Sequence, residues 1–131
     1  MKFTPDLEVG VGNIDSQHKE LFDRIADVVA LGAKSMTKEE TDKTINMLGD
    51  YIVKHFRDEE LLMARHNYPE LEKHKVLHAQ YIDGFHKLKA EYYANGPSAL
   101  FTLQLNQSII EWIVKHIKTA DKAFGKFIQS K

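Results

Sequence analysis

Hydrophobic residues recur every three to four positions along four long segments of this chain, which is the period of an amphipathic α-helix. The predicted helices cover roughly residues 15–36, 38–64, 69–93 and 98–128. No segment shows the alternation of hydrophobic and polar residues that indicates a half-buried strand. Four long amphipathic helices with short connections predict an all-α fold, an antiparallel up-down-up-down four-helix bundle.

Local signals set the expected helix ends and the form of the amino terminus. Residues 1–13 have no sustained helical period, so they predict an extended N-terminal arm that precedes the bundle. Asp15 or Ser16 can cap the first helix. The other signals are the capping box of Thr37 and Glu40, the first-turn Pro69, the stop at Asn95-Gly96-Pro97 and the cap Ser98.

Polar side chains interrupt the hydrophobic faces of all four predicted helices. The second and third helices each carry two such residues spaced by four positions, which share one helix face. Burying imidazoles and carboxylates without partners is costly, so a bound cation is expected to compensate. A donor set rich in imidazole and free of thiolate suits a pair of first-row transition ions. The seven predicted ligands of this dinuclear centre are His18, His55, Glu59, His74, His78, His116 and Asp121.

The last two of these residues lie five positions apart, which a regular helix does not accommodate. At about 100° per residue, the side chains of His116 and Asp121 would point about 140° apart. A π-bulge would bring them together, and such bulges are frequent at functional sites. The spacing therefore predicts an i→i+5 hydrogen bond or a local distortion between these residues.

Each of these signals has an ordinary alternative when it is taken alone. A single His-x-x-x-His pair is common on solvated helix surfaces, and a lone histidine such as His18 is more often a surface residue. The matching height of the residues on all four core-facing stripes favours the metal centre instead. His66 and His86 do not share this geometry, and we interpret both as ordinary exposed histidines.

Composition narrows the functional classes and predicts one domain over residues 1–131. The 18 basic and 19 acidic residues nearly cancel without runs of one sign, which argues against a nucleic-acid or anionic-membrane partner. The absence of cysteine excludes disulfides, iron–sulfur clusters and thiolate zinc sites. No signal peptide or apolar run of ~18 residues is present, so we expect a cytoplasmic protein without membrane insertion. No unburied apolar stripe indicates an obligate interface, so we expect a monomer.

Four sequence elements together resemble the bacterial single-domain hemerythrins. These elements are Ile14–Phe22, His55–Glu60, His74–His78 and His116–Asp121. One departure is Phe3, where many bacterial relatives carry tryptophan, and it concerns the packing of the arm.

The resemblance implies two iron ions (Fe²⁺/Fe³⁺) with a bridging oxo or hydroxo group. It implies that His74, His78 and His116 bind one iron, that His18 and His55 bind the other, and that Glu59 and Asp121 bridge the two. The iron with two histidines keeps an open position, where dioxygen binds in the family and takes two electrons from the ferrous ions.

Two features of the residues favour reversible binding of dioxygen. Five neutral imidazoles and two carboxylates donate less charge than the carboxylate-rich di-iron sites of the ferritin-like class, which disfavours cleavage of the O–O bond. An apolar oxygen pocket is expected from Phe56, Met63, Trp112 and Ile113, which would limit the entry of water and protons. Core packing is the alternative role of these four residues.

We therefore expect an oxygen-binding protein that stores dioxygen or delivers it to an oxygen-consuming enzyme. It is not expected to be an enzyme itself, although side redox activity is compatible with the site. The alternatives are a di-iron redox enzyme that handles peroxide or nitric oxide, and a sensor of oxygen or redox state. The sensor is less favoured because related sensors carry the bundle fused to a signalling or membrane module. A metal-free interaction bundle is the least favoured alternative.

Overall fold

The computed structural model describes residues 3–29, 38–96 and 110–130 of the chain. Three long helices are α1 (Gly12–Val29), α2 (Lys38–Arg65) and α3 (Leu71–Asn95). The fourth, α4, is a continuous helical run of three segments, Glu111–His116, Ile117–Asp121 and Lys122–Gln129. The described residues contain no strand, so the predicted all-α fold is confirmed.

Contacts between neighbouring helices show that α1, α2 and α3 alternate in direction. Gln17, early in α1, bonds to Asp58, late in α2, whereas Glu20 bonds to the earlier Tyr51. Helices α2 and α3 pack along each other and are joined by only residues 66–70. Each pair is therefore antiparallel.

Helix α4 runs antiparallel to α3. His74, near the start of α3, lies 2.9 Å from Asp121 in the second half of α4. Farther along α3, Tyr81 packs against Trp112, near the beginning of the described part of α4, with 4.3 Å between ring centroids. The four helices form the predicted up-down-up-down bundle, and hydrophobic side chains from every helix fill its interior.

The start of α1 corrects the predicted capping. The helix begins at Gly12, three residues before Asp15, so Asp15 lies in its first turn and does not cap it. The Asp15 carboxylate instead accepts hydrogen bonds from the backbone N–H groups of Val9 (2.7 Å) and Gly10 (3.2 Å). The carboxylate of an acidic residue in a first helical turn can accept hydrogen bonds from backbone N–H groups of the helix or of the chain before it. Here the carboxylate of Asp15 bonds to the backbone of the N-terminal arm.

The N-terminal arm lies across α4. Its hydrophobic residues Leu7 and Val9 are buried, and the arm is interrupted by a short 3₁₀ turn at Pro5–Leu7. This turn contacts the Ile117–Asp121 segment of α4. The arm backbone also approaches Gly125 so closely that a β-carbon there would collide with the carbonyl oxygen of Val9. The arm therefore braces the part of α4 that carries Asp121.

The end of α3 is as predicted, but its start is not. The helix begins at Leu71, so Pro69 lies in the turn before the helix and the prediction of a first-turn Pro69 was wrong. Gly96 ends α3 with φ +72°, a value that glycine adopts without steric cost, and its N–H bonds to the Tyr92 carbonyl oxygen (2.7 Å). The predictions that fall on residues 30–37 and 97–109, including Thr37, Pro97 and Ser98, lie outside the described residues.

His66 and His86, the two histidines that were not predicted as ligands, differ in burial. His86 is exposed, as expected. His66 is half-buried, with its ring edge-on to Phe124 at 6.4 Å, so the expectation of an exposed residue was wrong for His66. Among the described helices, none is long and apolar enough to cross a membrane.

Candidate metal centre

All seven predicted ligands meet inside the bundle, and each is at most 4% exposed. The three-histidine group consists of His74, His78 and His116, and the two-histidine group consists of His18 and His55. The ligand atoms of the first group, with Glu59 and Asp121, lie within 4.8 Å of one another. Those of the second group, with Glu59, do likewise. Glu59 therefore lies close enough to both histidine groups to serve as a ligand in each.

Glu59 extends one carboxylate oxygen toward each histidine group. Its Oε1 lies 2.7 Å from Nε2 of His74 and 3.2 Å from Nε2 of His78. Its Oε2 lies 3.5 Å from Nε2 of His55 and 3.8 Å from Nε2 of His18.

Asp121, from α4, also extends one carboxylate oxygen toward each histidine group. Its Oδ1 lies 2.9 Å from Nε2 of His74 and 3.1 Å from Nε2 of His116. Its Oδ2 lies 3.1 Å from Nε2 of His18. Each of the two carboxylates thus presents one oxygen to the three-histidine group and the other to the two-histidine group, as a bridging ligand does.

A π-helical turn brings Asp121 onto the face of His116. Residues Ile117–Asp121 form this turn, and the backbone N–H of Lys122 bonds to the carbonyl oxygen of Ile117, five residues earlier. The extra residue in the turn offsets the rotation that a five-residue spacing would otherwise give. The predicted π distortion is confirmed.

The donor set fits a pair of cations better than it fits internal hydrogen bonds. Nε2 of His74 lies within 3.1 Å of Glu59, Asp121 and Nε2 of His116, yet one ring nitrogen can donate only one hydrogen. Separations of this size are typical of ligands about 2.1 Å from a shared ion in octahedral geometry.

Among the described residues, seven buried polar atoms of the site have no hydrogen-bond partner. Some approach each other closely, as Nε2 of His18 and Oδ2 of Asp121 do at 3.1 Å, without the geometry of a hydrogen bond. Unsatisfied buried atoms are destabilising unless a ligand compensates. The atoms are Nδ1 and Nε2 of His18, Nε2 of His55, Nε2 of His78, Oε2 of Glu59, and Oδ1 and Oδ2 of Asp121.

Hydrogen bonds behind two of the rings orient their free nitrogens toward the centre. Nδ1–H of His55 donates to Oε1 of Gln17 (2.7 Å), and Nδ1–H of His78 donates to Oε2 of Glu60 (2.8 Å). An acceptor at Nδ1 leaves Nε2 with its lone pair available for a metal. The sequence analysis missed Gln17 and Glu60, although each is the chain neighbour of a predicted ligand.

Aromatic rings cover the three-histidine group. The ring of Phe56 stacks on His78 with centroids 3.8 Å apart, and Trp112 stacks on His116 at 4.6 Å. Tyr81, which the sequence analysis did not single out, lies between Phe56 (5.6 Å) and Trp112 (4.3 Å). The other two predicted pocket residues, Met63 and Ile113, are fully buried.

Burial and mutual charge shift the titration of these groups. Burial lowers the pKa of His55 to about 3 and that of His78 to about 4, so both are neutral near pH 7. Burial and the Asp121 charge raise the pKa of Glu59 to about 7. Burial opposes protonation of His74, but Asp121 and Glu59 outweigh it and raise the His74 pKa to about 9. Without metal, the centre therefore holds protons that a cation would displace.

Two clefts approach the centre from the surface. One, of about 400 Å³, lies between the start of α1 and the end of α2, and its lining includes Gln17, Asp58 and Glu59. The other, of about 220 Å³, reaches His74 between α3 and α4, where Ala120 leaves room. Both sides of the centre are therefore close to a surface opening.

The chain is similar to known proteins in sequence and in structure. The Hemerythrin HHE cation binding domain matches residues 9–128. A bacteriohemerythrin of Methylococcus capsulatus is 31% identical over 123 residues, which cover 92% of this chain and 89% of that protein. A myohemerythrin of Theromyzon tessulatum is 32% identical over 115 residues, covering 88% and 82%. A crystal structure of wild-type hemerythrin superposes with a TM-score of 0.81 at 28% identity, covering 96% and 95%.

Proposed function

Because the chain belongs to the hemerythrin family, which is known for oxygen binding at a di-iron site, we propose that it binds dioxygen reversibly at two iron ions. One observation supports the proposal above the others. Each of two buried carboxylates presents one oxygen to a group of three histidines and its other oxygen to a group of two. A single metal ion would not use both sets.

In the proposed centre, the three-histidine group holds one iron and the two-histidine group holds the other. Glu59 and Asp121 would each offer one oxygen to either iron, and an oxo or hydroxo group derived from solvent would complete the bridge. Two ferrous ions held there would supply the two electrons that reversible binding of dioxygen requires. The two-histidine side has fewer protein donors, and it is proposed to carry the open position.

The protein's contribution to reversibility lies in the charge and the enclosure of the site. Five imidazoles and two carboxylates bring a charge of −2, which stabilises highly oxidised iron less than a carboxylate-rich site does. Phe56 and Trp112 lie flat on two ligand histidines, while Met63 and Ile113 fill the adjacent interior. These apolar groups exclude water and protons that would promote loss of reduced oxygen and leave a ferric centre.

We propose that this binding serves storage of dioxygen, or its delivery to an oxygen-consuming enzyme, rather than turnover of a substrate. A monomeric state and a cytoplasmic location remain predictions from composition. Sedimentation of the iron-loaded protein at two concentrations tests the first, since a monomer gives a mass close to the 15.1 kDa of one chain at both.

An absorption experiment tests the proposed function. Protein loaded with Fe²⁺ without oxygen is recorded before air, after air and after purging with argon, and iron is counted per chain. The proposal expects two irons and a visible ligand-to-iron charge-transfer band that appears in air and fades under argon. Irreversible conversion to a ferric spectrum would favour a redox enzyme or a sensor. Repeated turnover of peroxide or nitric oxide would separate those two.

A further inference from the structure

The two histidine groups have different supports behind them. On the three-histidine side, Nδ1–H of His78 donates directly to the carboxylate of Glu60 at 2.8 Å. On the two-histidine side, Nδ1–H of His55 donates to the neutral amide of Gln17 at 2.7 Å. Behind His55 a carboxylate appears only one step farther out, where Nε2–H of Gln17 donates to Oδ2 of Asp58 (3.0 Å).

The two partners of Gln17 fix the orientation of its amide. A flipped amide would turn its N–H₂ group toward the Nδ1–H of His55 and its oxygen toward the carboxylate of Asp58, and both contacts would be unfavourable. Its backbone carbonyl also accepts a hydrogen bond from the Tyr51 hydroxyl at 3.3 Å. Glu60, by comparison, has a side chain that is 25% exposed.

A charged acceptor and a neutral one affect a metal ligand differently. A carboxylate behind an imidazole pulls on its Nδ1 proton and makes Nε2 a stronger donor, which favours the more oxidised metal. An amide orients the ring but adds no net charge. His78 is therefore the stronger donor, and His55 the weaker one.

We propose that Gln17 and Glu60 are positioning residues that make the two irons unequal in reduction potential. Resting on the proposed function, the inference is that the iron of the three-histidine group loses its electron first. The neutral Gln17 keeps the iron of the two-histidine group ferrous over a wider range of potential, on the side with the open position. The oxidation of the pair then has two separate one-electron steps with a mixed-valence state between them.

A charge-conserving exchange tests the role of Gln17. In the double variant Gln17→Glu/Asp58→Asn, the carboxylate moves from the outer to the inner position, while net charge and side-chain lengths are unchanged. We expect the higher of the two potentials to fall. The complementary variant Glu60→Gln removes the inner carboxylate on the other side, and we expect the lower potential to rise.

Both variants should bring the two steps closer together, but from opposite directions. The equilibrium constant that favours the mixed-valence state is expected to fall about tenfold in each variant. This is the lower end of the effects that hydrogen-bond partners of metal ligands have on metal affinity or activity. The readout is a spectroelectrochemical titration under argon, with the mixed-valence state followed by electron paramagnetic resonance. Asp58→Asn alone and Glu72→Gln, an exposed carboxylate paired with Lys75, are the controls.

The possible outcomes separate this inference from the proposed function. Unchanged potentials, or shifts in the same direction in both variants with two irons retained, would overturn the inference. Loss of iron from both folded variants would also overturn it, because Gln17 and Glu60 would then only place ligands. The titration needs no dioxygen, so opposite shifts in a protein that fails to bind oxygen reversibly would support the inference and reject the function.

Discussion

The two-histidine and three-histidine groups use the same kind of ligand but are built differently. The three-histidine group comes from α3 and α4, and Phe56 and Trp112 stack face-to-face on two of its rings. The two-histidine group comes from α1 and α2, its rings meet edge-on at 4.7 Å, and the larger cleft opens beside it at Gln17. Edge contacts also occur among the rings of the three-histidine group, so the difference between the halves is the stacked aromatic cover on one side and the larger cleft on the other. The difference favours the two-histidine side as the place of the open position in the proposed centre, because the larger of the two clefts opens there.

The largest expected effect comes from removing a side chain that contacts ligands of both histidine groups. Glu59→Ala takes an oxygen from both groups, and His74→Ala removes the nitrogen closest to both carboxylates. We expect both variants to lose nearly all iron and much of the bundle's stability, because metal binding and folding are coupled. His18→Ala should lose only the iron of the two-histidine group. Iron counting and thermal unfolding by circular dichroism check these outcomes.

The exposed His86 provides the control for these ligand variants, and His86→Ala should keep two irons and an unchanged midpoint. Full iron occupancy in Glu59→Ala and His74→Ala would show that the ligand assignment is wrong.

The next largest expected effect is the pH dependence of iron loading. In the metal-free protein, Glu59 (pKa about 7) and His74 (pKa about 9) carry protons near neutral pH, whereas His55 (pKa about 3) does not. Iron must displace those protons, so its affinity rises as pH rises through 7 toward 9 and falls below 7. The change is about tenfold per pH unit for each proton displaced.

Anaerobic Fe²⁺ titrations at about pH 6 and about pH 8 measure this dependence. A pH-independent affinity would mean that Glu59 and His74 are already unprotonated before the metal arrives.

A smaller effect is expected where the arm braces α4 near Asp121. Gly125→Ala places a β-carbon against the backbone carbonyl of Val9, and backbone moves less readily than a side chain. We expect the free energy of unfolding to fall by about 1–3 kcal/mol, while two irons are retained.

Gly84→Ala is the matched helical control, because nothing lies within 4 Å of a β-carbon there, and it should be neutral or slightly stabilising. Equal unfolding midpoints in urea for the two variants would contradict the close approach of the arm.

The smallest expected effect concerns the aromatic cover. Trp112→Ala should speed autoxidation roughly threefold, about 0.7 kcal/mol of barrier, because water and protons gain access beside His116. Trp112→Phe keeps a stacked ring and should stay close to the parent rate, measured by loss of the oxygenated spectrum. An unchanged rate in Trp112→Ala with iron retained would make Trp112 a packing residue only.

The features that could be predicted from the sequence are those that depend on the spacing of residues within one helix. The four-residue pair of His74 and His78 predicts a shared face, and the five-residue spacing of His116 and Asp121 predicts the π turn. Gln17 was missed because its bonds to His55 and Asp58 cross between helices, and their formation depends on how α1 is rotated against α2.

The same limit applies to the aromatic residues and to the start of α1. Inward-facing Phe56 and Trp112 were predicted, but which ligand each ring covers depends on the packing of neighbouring helices. Asp15 can bond forward or backward along the chain, and only the path of the arm decides between these.

The central claim is that seven side chains hold two unlike irons joined by shared carboxylates. A Mössbauer spectrum of the protein loaded with ⁵⁷Fe and exposed to air tests it most directly. We predict two irons per chain, two quadrupole doublets of equal area, and a diamagnetic ground state at low temperature because the bridged ferric ions couple. One iron per chain, or the magnetically split spectrum of isolated ferric ions, would contradict the claim.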